Sequence, residues 1–82
     1  MINITPNPFS SRVYVTGLQP AKAYTISLLS SNGQTVVRKR VSGQQEAILG
    51  TGILPQVIFL LRVYDEKKNR LIGSVKLLSL GE

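Results

Sequence analysis

The densest chemistry in the sequence is basic. Arg38-Lys39-Arg40 stand side by side, and Lys67-Lys68 are followed by Arg70. Ten Lys and Arg against four Asp and Glu give a net charge of +6, a field that suits nucleic acid, an acidic glycolipid surface or an acidic protein partner. Nucleic-acid binding asks for aromatic side chains beside the charge, on which bases can stack. Phe9, Tyr14, Tyr24, Phe59 and Tyr64 are instead spaced like core and corner residues. The basic runs therefore read as solvated strand edges that keep a β-protein from pairing with copies of itself, and no nucleic-acid partner is expected. Catalysis has little to work with. Histidine is absent, which removes the commonest general base and metal ligand. Cysteine is absent too, which removes disulfides, a thiol nucleophile and thiolate metal ligands. No serine lies in a nucleophile elbow. The carboxylates Glu46, Asp65, Glu66 and Glu82 are too few and too scattered for a calcium cage or a glycosidase pair. The expectation is a protein that is not an enzyme, with no catalytic, cofactor-binding or metal-ligating residue and no cofactor.

The elements that carry these residues are strands. Val57 to Tyr64, VIFLLRVY, is the most apolar run. Alternation sends Val57, Phe59, Leu61 and Val63 to one side and Ile58, Leu60, Arg62 and Tyr64 to the other. Apolar on both faces, it reads as a central strand covered on both sides. Pro55, which lacks a ladder donor, fixes its start, and the charged loop 65–69 ends it. Before it come a short half-buried strand in RVYVT, a turn over Gly17–Pro20, and a strand from Ala23 to Leu29 with Tyr24, Ile26 and Leu28 on one side. Asn32-Gly33 between two alternating runs predicts a type I′ hairpin. The returning strand, Gln34 to Val41, puts Lys39 on the side of Val37 and Val41, so a bulge or an edge position is expected. A short strand follows at Glu46 to Leu49, then the corner Ile53-Leu54-Pro55. After the central strand, Arg70 to Leu80 carries Leu71, Val75 and Leu77 on one face and Arg70, Ser74 and Lys76 on the other. Leu78 and Leu80 break the polarity of the second face. Residues 1–11 read as an extended lead-in and residues 12–80 as the sandwich.

With 82 residues the chain fits one domain, near the size at which folding buries only ~60–65% of the unfolded chain's surface. About six or seven strands, regular turn signals and no helical spacing predict an all-β fold, an immunoglobulin-like antiparallel β-sandwich, with a partly open barrel as the alternative. The stretch from Ile53 to Val63 is far shorter than the ~20 apolar residues that span a bilayer as a helix, so no membrane insertion is expected. MINITPNPF lacks a charged n-region followed by an apolar h-region; a signal for export would have to lie upstream in a longer parent.

Taken in order, these pieces resemble the C-terminal sorting domain (type A) of proteins exported by the type IX secretion system of certain Gram-negative bacteria. That family opens with a PNPF-like motif, as in Pro6-Asn7-Pro8-Phe9. It continues with a strand and a strand–NG–strand hairpin much like YTISLLSSNGQTVVRKRVSG, which contains Asn32-Gly33. An L-P-x-G-x-Y-x-L-R-V corner and strand follow, to which LPQVIFLLRV is similar from Leu54-Pro55 onward. Val57 stands here at the usual glycine and Phe59 at the usual tyrosine. A last K-hydrophobic-hydrophobic strand is mirrored by Lys76-Leu77-Leu78.

The resemblance implies residues 1–82 as a single C-terminal sorting domain, a non-catalytic signal at the tail of a larger cargo protein. Such a domain directs its cargo from the periplasm through the outer-membrane translocon. A sortase then removes it while the cargo is anchored to lipopolysaccharide at the cell surface. Recognition by the translocon is expected on the final strand, at Lys76, Leu77 and Leu78, by addition to a partner sheet. A homodimer in vitro is a further expectation, because an unpaired apolar strand invites self-pairing. The rival reading is an immunoglobulin- or fibronectin-like spacer or weak glycan-binding module of a surface enzyme or adhesin.

Overall fold

The computed structural model describes residues 2–81. Met1 and Glu82, the two ends of the expected 1–82 domain, lie outside the described residues. Seven strands follow one another: β1 Asn3–Thr5, β2 Arg12–Thr16, β3 Ala23–Leu29, β4 Thr35–Ser42, β5 Glu46–Gly50, β6 Ile58–Asp65 and β7 Arg70–Leu78, with no helix among the described residues. They form two antiparallel sheets, β1-β2-β5 and β4-β3-β6-β7. The chain changes sheet between β2 and β3, β4 and β5, and β5 and β6. This is the crossing pattern of an immunoglobulin-like sandwich, except that the fourth strand joins the sheet of β3 instead of pairing with β5.

Alternation builds the core. Val13 and Val15 of β2 and Ala47 and Leu49 of β5 face Tyr24, Ile26 and Leu28 of β3, Phe59, Leu61 and Val63 of β6 and Leu77 of β7, all buried. Each large aliphatic or aromatic side chain in this layer contributes about 1.5–3 kcal/mol by leaving water. The turn before β3 sits at Gln19–Lys22, where the Lys22 amide bonds the Gln19 carbonyl (3.0 Å), two residues later than its glycine and proline suggest. Buried Tyr24 holds it by accepting a hydrogen bond from the Gln19 amide at 3.0 Å.

Several expectations are corrected. β6 is covered on one face only: Phe59, Leu61 and Val63 are buried, whereas Ile58 is 54% exposed and Leu60, Arg62 and Tyr64 are half-buried. One face suffices because an antiparallel sheet tolerates water on the other. Asp65 is not the first residue of a charged loop but the buried end of β6. Its Oδ1 accepts the Lys67 and Lys68 amides (3.1 and 3.3 Å), and its other oxygen faces Lys22 at 3.6 Å. The Asn32-Gly33 turn is not type I′. Only Gly33 takes a positive φ (86°), and the loop runs over Ser30–Gln34 with the Gly33 amide on the Ser30 carbonyl at 2.9 Å. This is a type I turn followed by a left-handed glycine, and a register shift between Leu28 and Leu29 accompanies it.

In β7 the register shifts between Val63 and Tyr64, so Val63 pairs with Gly73, Tyr64 with Leu71, and Ile72 is the extra residue. The bulge turns Leu71 out of the core row, where it is 43% exposed. The strand ends at Leu78, not Leu80. The lead-in contains a strand: β1 pairs with β2 from Asn3↔Thr16 to Thr5↔Tyr14. Tyr14 lies on the solvent face, 39% exposed. Lys39 does occupy an edge, on β4, where its Nζ donates to the Ile48 carbonyl of β5 at 3.0 Å.

Candidate functional site

β7 is the last strand of its sheet, so one row of its peptide groups has no neighbouring strand. From Lys76 onward that row is met by the segment Pro6-Asn7-Pro8-Phe9. Phe9 runs parallel to Ser79: its amide donates to the Leu78 carbonyl (2.9 Å) and its carbonyl accepts from the Leu80 amide (2.8 Å). The next rung of a parallel ladder would use the backbone of Asn7. Its side chain supplies that rung instead. Asn7 Nδ2 donates to the Lys76 carbonyl (3.2 Å), and Asn7 Oδ1 accepts from the Leu78 amide (3.1 Å). The carboxamide presents an N–H donor and a C=O acceptor side by side, as a peptide does. It can stand in for a backbone held between two prolines, both of whose Xaa-Pro bonds are cis.

Phe9 anchors the segment. It is fully buried and meets Phe59 edge to face, with ring centroids 6.2 Å apart at 66°, a geometry worth about 0.5–1.5 kcal/mol beyond burial. The corner before β6 reaches the same place. Leu54 packs against the core while Pro55 stays exposed. The Leu54 carbonyl accepts from the hydroxyl of buried Ser79 at 3.2 Å, and the Ser79 amide bonds the Val57 carbonyl at 3.1 Å. Gly33 borders a groove that also touches Ile58, Leu60, Arg62 and Lys76. Residues scattered over the chain, from Pro6-Asn7-Pro8-Phe9 through Asn32-Gly33 and Leu54-Pro55 to Phe59 and Lys76, thus converge at one end of the sandwich.

Of the three residues expected to meet a partner, Leu77 lies wholly in the core, whereas Lys76 is exposed and Leu78 is 39% exposed. The β7 edge beyond Lys76 is already occupied by Asn7 and Phe9. At the opposite end, the Arg40 guanidinium grips Glu66 with two bonds (2.6 and 2.9 Å), and the Thr25 hydroxyl adds a third at 2.7 Å. Hydrogen bonds from Arg40 first, then Thr25, hold the Glu66 carboxyl down at about 2. This clasp joins β4, β3 and the β6–β7 turn. Sequence reading missed it, because nothing local links Arg40 to Glu66. The role of Asp65 was more accessible: an Asp followed by Glu-Lys-Lys-Asn has the form of an Asx turn.

A family model for the secretion system C-terminal sorting domain matches residues 3–75. The chain belongs to the type IX sorting-domain family. The matched stretch takes in the Pro6–Phe9 segment, both hairpin strands and the Leu54-Pro55 corner, and stops one residue short of Lys76. Neither a search of curated proteins nor one of solved structures returned a match. As a type IX sorting domain the chain is a signal for export with a cell-surface or secreted fate, and its family membership implies interaction with the type IX secretion machinery. The family is one of sorting signals.

Proposed function

We propose that residues 1–82 are a single, non-catalytic C-terminal signal that carries a larger cargo protein through the periplasm to the type IX outer-membrane translocon. A sortase then removes the domain as the cargo is anchored at the cell surface or released. The family match over residues 3–75 carries this reading. The geometry supports it: the motif residues close the terminal strand into one end of a rigid sandwich instead of lining a reaction cleft. Pro6, Asn7, Pro8, Phe9, Asn32, Gly33, Leu54, Pro55 and Phe59 are its structural frame, and Lys76 and Leu78 present side chains to the machinery from a strand that Leu77 pins to the core. The isolated domain would associate through whatever part of the β7 edge the lead-in leaves open.

The test fuses residues 1–82 to a reporter carrying an export signal, in a host that has this pathway. Display of the reporter on the cell surface is expected, with periplasmic retention when residues 74–82 are deleted. Undiminished display of the truncated fusion would remove the final strand from the account. A reporter that never leaves the periplasm with the whole domain attached would remove the sorting function itself.

A further inference from the structure

We propose that the outer face of the β4-β3-β6-β7 sheet docks a protein surface that projects a carboxylate side chain toward Arg62 and Lys76 while laying apolar groups on Ile58, Leu60 and Leu78. The proposal rests on the sorting reading, since the machinery supplies the partner, and adds which face is read and by what chemistry. The strand register sets the rows of this face. Arg38, Ser27, Arg62 and Ser74 stand in one row across the four strands, and Leu29, Leu60 and Lys76 in the next. Beyond them Ile58 pairs with Leu78. An apolar end thus adjoins three cations.

Among the described residues those cations form no ion pair. The ion pairs there are Lys22–Asp65 and Arg40–Glu66, and the Glu66 carboxylate is committed to Arg40 and Thr25. Arg62 goes further: its Nε is buried and meets no acceptor. A buried donor without an acceptor is costly and uncommon in folded proteins. An acceptor that enters the groove between Leu29, Ile58, Leu60 and Lys76 would answer both the charge and the orphaned donor.

Shape selects the class of partner. Lipid surfaces are recognised by clusters of 4–8 exposed Lys and Arg, and a flat plane of headgroups does not reach a recessed Nε. Strand addition is also a poor fit here. This face offers side chains, not peptide groups, and the neighbouring β7 edge is held by Asn7 and Phe9. A carboxylate on a projecting side chain, flanked by apolar contacts, matches the depth, the charge and the exposed Ile58 and Leu78 (54% and 39%).

The experiment measures binding of the full 82-residue chain to detergent-solubilised type IX translocon and to vesicles of anionic phospholipid. Lys76→Glu and Ile58→Asp, both on the surface, are each expected to weaken translocon binding by about tenfold or more. Their circular dichroism and melting should stay native. Lys76→Arg and the distant control Lys67→Glu/Lys68→Glu should each remain within about threefold of wild type. Native-like affinity of both Lys76→Glu and Ile58→Asp would overturn this surface and leave the sorting function standing. Binding to the vesicles that Lys76→Glu abolishes would overturn it in favour of lipid. Failure of the unaltered chain to bind the translocon would sink the sorting reading, and this inference with it.

Discussion

Asn7 gives the sharpest test of how the terminal strand is held. Its carboxamide makes two hydrogen bonds to β7, at 3.2 Å to the Lys76 carbonyl and 3.1 Å from the Leu78 amide. Each such bond contributes about 0.5–1.5 kcal/mol net, and both are exposed, so the pair sums to about 1–2 kcal/mol. Asn7→Ala removes both. Asn7→Asp keeps the acceptor for Leu78 but sets a carboxylate oxygen against the Lys76 carbonyl, so it should cost at least as much at neutral pH. For a domain of this size 1 kcal/mol moves the melting temperature by ~4–8 °C. Urea unfolding would give the free energy, and amide exchange would localise it. The Leu78 and Leu80 amides, which bond Asn7 and Phe9, should lose protection while Leu61 and Val63 keep theirs. A cost under about 0.3 kcal/mol with Leu78 protection unchanged, or an Asp variant as stable as wild type, would refute the rung-replacement argument. Either result would leave Phe9 alone to hold the segment on β7.

Phe9→Ala should cost about 3–5 kcal/mol, a large share of the roughly 4–12 kcal/mol available to a domain of this length; a loss below about 1 kcal/mol in urea titration would show that the ring is not in the core. Leu77→Ala should cost about 2–5 kcal/mol whereas Leu78→Ala costs far less, and equal effects would contradict the assigned faces of β7. Gly33→Ala should lower stability by about 1 kcal/mol because of its positive φ, with a null result in thermal melts pointing to a different turn. The Glu66 carboxyl titrates at about 2 in the folded protein against 4.5 ordinarily, so the clasp stabilises fully above pH 4.5 and its contribution is lost as the pH falls through about 2. Glu66→Gln should flatten the stability profile across that window, and an unchanged acid slope would show that the clasp is not what titrates.

Alternation of period two was enough to locate β2, β3 and β5 and to sort Tyr24, Ile26 and Leu28 from Thr25 and Ser27, because each of these strands has one wet and one dry face. It failed where a residue was added or substituted in the ladder. The bulge at Ile72 reversed the facing of Leu71, and a bulge leaves no mark in hydrophobicity when both of its residues are aliphatic. It also failed where burial rests on hydrogen bonding instead of apolarity. Asp65 and Ser79 are buried because their side chains satisfy turn amides, the Leu54 carbonyl and the Gly81 amide. The Pro6–Phe9 segment was recognisable as a motif, but its partner strand lies some seventy positions away, beyond any local signal.

The edges of the two sheets favour the proposed recognition through a face. A four-strand and a three-strand sheet leave four outer strands, β4, β7, β1 and β5, each a template for unwanted pairing. β4 and β5 are tied to each other through Lys39, and β4 carries three consecutive cations that resist approach by another basic strand. β7 is capped from Lys76 to Leu80 by a segment whose own prolines cannot propagate a ladder. What stays exposed at that end is the side-chain surface around Ile58, Leu60, Arg62 and Lys76. A sorting domain gains from this arrangement: at that end its peptide groups are closed to promiscuous strand addition, and its specificity can reside in side chains, whose charge and shape discriminate among partners where peptide groups do not.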